Sequence, residues 1–473
     1  MDSPVKAGIT HYGAYVPATR LSLSALNGRS PKPGGPEKAV AWNDEDAITL
    51  GVAAARNCLR DADRDEVDGI IFASTTHPFQ EKQAAALAAR ALDLRRDVQS
   101  TDLGGSLRAG TSALRIACDA VRAGTNRNVL VIASDCRMAA PGSPMEANLG
   151  DGAAAFLVGD RNVIACLEGS HAISDEIVDV WRSGGDAFSH SWEDRFVIQE
   201  GYAPGVSEAV EGLLEKLGHS MSDYAHCALY APDPRSHAGA ARALGIDKGR
   251  LQEAFFGRLG NTGAAFVPMQ LVAALEKSSP GDRILAASYG DGAEALSLEV
   301  SEAAKKLDPP RGVSWHLARR REVAEYSQYL EARGLGTTEW PASAGPGLSA
   351  TAHHRERDDD LSFRGQACLN CEAIQFPAQR VCETCFSRDE FNPAPLAERE
   401  GRVVTYTLDY FFPTPDPPTV VAVVDIAGAR VHIQVADCSP EEIGIGTELE
   451  FSFRRIHQAG GRPNYFWKGV PRS

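Results

Sequence analysis

The chain of 473 residues contains no run approaching about 18 consecutive apolar residues, which excludes a transmembrane helix. Positive charge is scarce. Lysine and arginine total 48 against 63 aspartates and glutamates, a net charge of −15, so the basic footprint of a nucleic-acid binder or of a protein docked on an anionic membrane is missing. The opening residues MDSPVKAGITHYG lack a basic segment followed by an apolar one, and the expectation is a soluble, cytoplasmic protein. Also missing is a glycine-rich loop of the kind that cradles nucleotide phosphates, which leaves contacts to any nucleotide-bearing ligand unassigned. What is there suffices for folding. At 43% hydrophobic and 23% charged the chain can bury large cores, and at about 150 residues per domain it has room for roughly three units.

Ten cysteines divide into two groups. Cys58, Cys118, Cys136, Cys166, Cys227 and Cys438 are scattered singly, and in a reducing compartment each is expected as a small buried hydrophobe. Cys368, Cys371, Cys382 and Cys385 form C-x2-C-x10-C-x2-C. Each C-x-x-C turn points two sulfurs at one ion, so the spacing predicts a tetrahedral zinc site. Four thiolates leave no position for water, which makes that zinc structural.

Over the first 300 residues helical and strand patterns alternate, which predicts an α/β architecture. Helices are expected around Asp46–Leu59, at Gln83–Ala91 and at Ser106–Ala123, and strands at Gly69–Ala73 and Asn128–Ala133. Within this alternation Ser106–Ser134 repeats as Gly260–Ser288, an offset of 154 residues. Each copy reads as a small-residue helix start, an amphipathic helix, a polar turn and an apolar strand. Gly150-Asp151-Gly152-Ala153 follows the first copy and Gly290-Asp291-Gly292-Ala293 the second, with Asp151 and Asp291 expected to make turns. A duplicated α/β fold is therefore expected, its halves spanning 1–165 and 166–305. Farther on, Trp315–Arg333 reads as helical and Thr338–Asp360 as a linker, giving a helical extension and linker over 306–360. The zinc ribbon is expected at 361–395. Short strands at Arg402–Asp409, Thr419–Ile426, Ala429–Val435 and Leu449–Phe453 predict a small all-β barrel of OB type over 396–473.

Taken in order, GITHYGAYVP, EKAVAWNDEDAITL, FASTTHPFQEKQ, SLRAGTSALRIACDAVRAG, GDGAAAFLVGD, DVWR, SWEDRF and GNTG resemble the hydroxymethylglutaryl-CoA (HMG-CoA) synthase branch of the thiolase superfamily. β-Ketoacyl synthase III enzymes share its fold. The similarity covers roughly residues 5–330. The four cysteines, with EGRVVTYT and VADCSPEEIGIGTELEF, resemble the zinc-ribbon/OB-fold proteins that accompany thiolase-like enzymes. The resemblance implies a five-layered α/β/α/β/α fold, a homodimer and coenzyme A thioester substrates.

The same resemblance implies three catalytic side chains: a cysteine at the start of the central helix, a histidine near a strand end and a glutamate. None is found at the matching positions. The nucleophile's motif, Cys-x-x-Gly-Thr, is matched by Leu107-Arg108-Ala109-Gly110-Thr111, so Leu107 stands where the cysteine belongs. The repeat gives the same register, since Leu107 maps onto Asn261 in GNTG, where the family keeps an active-site asparagine. Tyr230 holds the histidine's place in Leu229-Tyr230-Ala231-Pro232, and the glutamate would lie near Thr75.

A leucine cannot be acylated, so other groups are weighed. Tyr230 can donate a hydrogen bond to a developing alkoxide or enolate, or exchange a proton with a β-hydroxyl if its pKa is depressed; otherwise it fills space. His77 is an acid–base candidate or an ordinary loop histidine. Asn261 can bond a thioester oxygen or cap a turn. Cys136 is a relocated nucleophile or buried packing, and Ser106 a nucleophile without a visible base or a helix cap. Tyr289 reads as strand-end packing. Three functions follow: aldol or retro-aldol chemistry on a β-hydroxyacyl-CoA, an acyltransferase or condensing enzyme using Cys136, and a non-catalytic scaffold of an acyl-transfer complex.

Overall fold

The 154-residue repeat of the sequence is also a repeat of structure. Strand Val129–Asp135 and strand Arg283–Tyr289 have corresponding bounds, and each is followed by an antiparallel partner, Gly152–Gly159 and Gly292–Val300 respectively. On the other side each has a parallel neighbour, Gly69–Ala73 in the first copy and His226–Leu229 in the second. The computed structural model describes residues 6–308, 310–323, 325–336, 349–412, 414–459 and 461–472. It divides into two units: the first holds residues up to 41, 46–89 and 94–324, the second 42–45, 90–93 and 325–473.

In the first unit both copies join one nine-stranded sheet, because Gly8–Tyr15 pairs with Gly152–Gly159 along its length and, at Gly8 and Ile9, with Cys166 and Ala165. The expected boundary between residues 165 and 166 therefore falls inside one unit. Helices Ala109–Arg122 and Phe266–Leu275 lie between strands of the two copies, with Ala47–Cys58 packed outside the first and Ala203–Leu217 outside the second. The result is the five-layered α/β/α/β/α fold. All ten residues of Phe266–Leu275 are buried, as a helix covered on every side requires. Strands Val129–Asp135 and Gly152–Gly159 are likewise buried throughout, as expected for strands covered on both faces. Asp46 starts Ala47–Cys58 with a capping box: its carboxylate accepts the N–H of Ile48 and Thr49 at 3.0 Å, and Thr49 Oγ1 accepts the N–H of Asp46 at 2.8 Å.

In the second unit Cys368, Cys371, Cys382 and Cys385 belong to a small ribbon, and a closed barrel follows from Gly401–Asp409, Thr419–Ile426, Ala429–Val435, Arg462–Pro471 and Glu448–Ala459. The expected strand at Leu449–Phe453 runs on to Ala459 and pairs with Arg462–Pro471, which the sequence pattern missed. Trp467, Phe451 and Phe453 fill the barrel. Arg454 is buried among three carboxylates, those of Asp44, Glu45 and Asp437. Among the described residues no helix is long and apolar enough to cross a membrane.

Two expectations are corrected. The single helix Trp315–Arg333 is instead two short helices, Val313–Ala318 and Tyr326–Ala332, separated by strand Arg321–Val323. That strand pairs in parallel with Thr19–Leu21, and this tertiary pairing overrides local helix propensity. Part of the expected linker Thr338–Asp360, up to residue 348, lies outside the described residues. Its remainder belongs to helix Ala350–Ser362, where good helix formers (Ala, Arg and Glu) outweigh the polar composition that suggested a linker.

The two inner helices start in close contact. A Cβ at Gly110 would lie 2.3 Å from the carbonyl oxygen of Ala264. Gly110→Ala is therefore expected to lower stability by about 3 kcal/mol through overpacking against backbone, read as a shift of the urea unfolding midpoint. An unchanged midpoint would refute this packing argument.

Candidate active site

Four segments converge where the parallel strands end, the usual place for a site in an α/β sheet. They are the loop after Gly69–Ala73, the end of Val129–Asp135, the end of His226–Leu229 and the turn leading into Phe266–Leu275. Asp135, fully buried, ties the first two to the last. Its Oδ1 accepts Ser74 Oγ at 2.9 Å, Thr75 N at 2.7 Å and Thr76 Oγ1 at 2.8 Å. Its Oδ2 accepts Thr75 Oγ1 at 2.9 Å and Ala264 N at 2.7 Å. Gly263 fits here because its φ is +60° and a Cβ would sit 2.2 Å from Asp135 Oδ2. Arg182 fastens the same loop, donating to the Thr75 carbonyl at 2.6 Å.

Tyr230 is buried in an aromatic cage. Its ring lies 5.6 Å from Phe266 and 6.3 Å from both Tyr202 and Tyr289, and its carbonyl accepts the Tyr202 hydroxyl at 2.7 Å. The Tyr230 hydroxyl faces the Arg137 guanidinium and the Asn261 amide. Burial pushes the phenol above its ordinary pKa, and those two groups oppose the rise only in part. Asn261 is itself fixed: Nδ2 donates to the Ala231 carbonyl and Oδ1 accepts the Gly263 N–H, both at 2.9 Å. Across the cage Tyr289 is hydrogen-bonded to Asp179, whose carboxyl burial raises above the usual range.

Of the residues singled out in the sequence, Tyr230 and Asn261 come together. His77 is on the Asp135-bound loop, but its ring packs on Phe72 at 5.8 Å between centroids. Among the described residues no hydrogen bond or ring contact joins His77 to Tyr230 or Asn261, and its buried Nδ1 has no partner. Cys136 follows Asp135, half-buried, its N–H donating to Thr76 Oγ1 at 2.9 Å. Ser106 donates its hydroxyl to the Gly290 carbonyl at 2.9 Å. Leu107 is half-buried at the head of Ala109–Arg122, packed on the core.

Asp135, Arg137 and Asp179 were missed in the sequence. Asp135 follows an apolar strand, where an aspartate is ordinarily a turn residue; its burial and its five donors give it another part. Tyr289, read as packing, also makes a hydrogen bond. Asp151 is more than a turn residue, since its buried carboxylate accepts the Ala41 N–H at 2.7 Å.

In the second unit the four cysteine sulfurs lie within 4.8 Å of one another, Cys368 to Cys385 at 3.5 Å and Cys371 to Cys382 at 3.6 Å. Tetrahedral zinc with bonds of about 2.3 Å sets its sulfurs about 3.8 Å apart, so the cage fits the ion. The N–H groups of Thr384 and Cys385 point at Cys382 Sγ, at 3.4 and 3.5 Å, as donors that support a thiolate ligand.

Known proteins match both parts. The model of the ChsH2 rubredoxin-like zinc ribbon domain matches residues 355–390, and that of the ChsH2 C-terminal OB-fold domain residues 395–454. The hydroxymethylglutaryl-CoA synthase of Pyrococcus horikoshii is 33% identical over 341 residues, which are 70% of this chain and 97% of the relative. The chain belongs to the hydroxymethylglutaryl-CoA synthase family. The Methanocaldococcus jannaschii synthase is 31% identical over 69% of this chain and 98% of its own. An HMG-CoA synthase solved in complex with CoA superposes with a TM-score of 0.63 at 22% identity, covering 72% of this chain and 93% of that one. The 3-oxoacyl-[acyl-carrier-protein] synthase III of Aquifex aeolicus does so at 0.56 and 22% identity, covering 62% and 99%. These two structural likenesses establish the thiolase-like fold of the synthase family.

Asp135→Ala strands five donors and is expected to cost about 3 kcal/mol or more in urea unfolding. A near-neutral effect would mean that the carboxylate is not what holds the loops. Chelation of the ribbon metal is expected to strip amide-exchange protection from residues 361–473 and leave the first unit protected. Loss of protection throughout the chain would contradict that.

Proposed function

We propose that this chain binds acyl-CoA thioesters and makes or breaks a carbon–carbon bond by aldol or retro-aldol chemistry, with no acyl-enzyme at position 107. One observation carries the reading: a hydroxyl-bearing, donor-lined Tyr230 in a buried cage, in a core on which Leu107 at the head of Ala109–Arg122 also packs, offering no nucleophile. The hydroxymethylglutaryl-CoA synthases among its relatives, and proteins of the same fold solved in complex with CoA and with 3-hydroxy-3-methylglutaryl coenzyme A, support a CoA thioester as substrate.

Burial decides between the two roles open to Tyr230. With its pKa raised, the phenol keeps its proton near neutrality and is a donor, not a base. Its oxygen already faces the donors of Asn261 and Arg137, so its own hydrogen is left for the substrate. In the cleavage direction the β-hydroxyl proton passes to Asp179, a base made stronger by burial. The bond between the α- and β-carbons breaks, its electron pair moves onto the thioester oxygen, and Tyr230 donates to that enolate. Asp179 then returns that proton to the α-carbon, which completes the shortened thioester beside the carbonyl compound. Asn261 acts through Tyr230 as a positioning residue. On this reading His77 keeps the loop's shape, the ribbon zinc is structural, and the enzyme is a cytoplasmic homodimer. The chain divides into two thiolase-like halves, an extension, the ribbon and the barrel.

A panel of β-hydroxyacyl-CoA thioesters tests this through release of the carbonyl product. Tyr230→Phe is expected to lower kcat/KM by about 100-fold with the fold intact. A stable acyl increment on Cys136 or Ser106 in the intact mass would overturn the proposal in favour of a condensing acyltransferase. The half-buried position of Cys136 beside Asp135 is what favours that second reading. Thioester binding without any turnover would favour a scaffold.

A further inference from the structure

Among the described residues of the first unit, the largest apolar side chains left to solvent are two indoles on one short hairpin, Trp181 at 40% and Trp192 at 56% exposed. In this hairpin Val180–Trp181 runs antiparallel to His190–Ser191, with Trp181 opposite His190 and Val180 opposite Ser191. The Trp192 N–H donates to the Asp179 carbonyl at 3.0 Å and carries the pairing one residue further. Residues opposite each other in an antiparallel pair point to the same face, and successive residues alternate. Asp179, Trp181, His190 and Trp192 therefore share one face. On it the Trp181 and His190 rings stack at 5.7 Å between centroids.

This face continues the site. Its inner end is Asp179, 7% exposed and hydrogen-bonded to Tyr289. Both strands are fastened to loops of the site: Arg182 donates to the Thr75 carbonyl at 2.6 Å, and the Ser189 N–H to the Met138 carbonyl at 2.8 Å. Bare indoles are unfavourable in water, and an exposed aromatic face that runs into a site marks what the site's ligand covers. Charge decides which part of the ligand that is. Residues 175–196 carry six carboxylates against two guanidiniums, a field that repels the phosphates of coenzyme A. The chemistry points the same way. Asp179 takes the β-hydroxyl proton, so the group that the β-carbon bears is directed along the face that Asp179 begins.

We propose that Trp181 and Trp192 form a platform for the β-substituent of the substrate, and that this substituent is an aryl ring. The inference rests on the aldol reading above and names its substrate class: a β-aryl-β-hydroxyacyl-CoA, cleaved to an aryl aldehyde or ketone and the shortened thioester. Indole faces stack a flat ring, as Trp181 already stacks the His190 imidazole. A methyl group covers neither indole. The other occupant with an apolar face to offer is a second copy of the chain, and the test separates the two.

Binding of 3-phenylpropanoyl-CoA and of butanoyl-CoA is compared by calorimetry on the full chain. The two differ only in phenyl against methyl at the β-carbon, and neither has the β-hydroxyl that cleavage needs. The wild-type protein is expected to bind the phenyl thioester about tenfold or more tightly. Trp181→Ser combined with Trp192→Ser, both at exposed positions, is expected to cut that preference to about threefold or less by weakening the phenyl thioester. Equal binding of the two thioesters by the wild type overturns the inference and leaves thioester binding standing. A preference that survives in the double variant also overturns it, by lodging the ring in the cage. Loss of a dimer in the double variant, read by sedimentation, overturns it whatever the binding, by assigning the face to a second copy. Binding of neither thioester by the wild type overturns the thioester reading and this inference with it.

Discussion

The first unit is organised around the carboxylate of Asp135. Two oxygens accept five donors, four from Ser74–Thr76 and one from Ala264. Those donors lie on opposite copies of the repeat, so neither copy builds the site alone. A buried carboxylate is costly unless its lone pairs are used, and here they are used by the loops that must be brought together. The tight turn at Gly263, the burial of Asn261 and the place of Arg137 all follow from the closeness that Asp135 imposes.

Around that anchor the chemistry is one of donors in a dry cage. Aromatic rings remove water, which strengthens each remaining polar contact and raises the pKa of the Tyr230 and Tyr289 phenols and of the Asp179 carboxyl. On the proposed reading Tyr230 and Asp179 diverge in role although burial shifts both upward. The phenol moves further from neutrality and holds its proton. The carboxyl moves towards neutrality and becomes a better acceptor.

Much of the scaffold was legible because it is repetitive. Strand Gly69–Ala73 and helix Ala47–Cys58 follow from period and capping, and the copies of the repeat predict one another's bounds. The cysteine spacing gave the ribbon for the same reason: ligand geometry is local. Tyr230 and Asn261 could be singled out because motifs mark their positions. Asp135 and Arg137 could not, since what distinguishes them is which distant groups they face, and although Asp179 opens the quoted DVWR, its bond to Tyr289 is not legible there. A lone Asp after a strand looks like a turn until Ala264, 129 residues away, is seen to donate to it. The single helix expected over Trp315–Arg333 failed for a related reason, as Arg321–Val323 is a strand only because Thr19–Leu21 lies beside it.

The half-buried leucine at the head of helix Ala109–Arg122 has a kinetic meaning. A thiol there would let one acyl group be parked while its carrier left and a second substrate entered. An isobutyl side chain forms no such bond. On the proposed reading both reacting fragments occupy the pocket at once, and every bond change is completed before either departs. Traffic through the site then follows a ternary-complex order instead of alternating half-reactions, and no intermediate is left exposed to hydrolysis between visits.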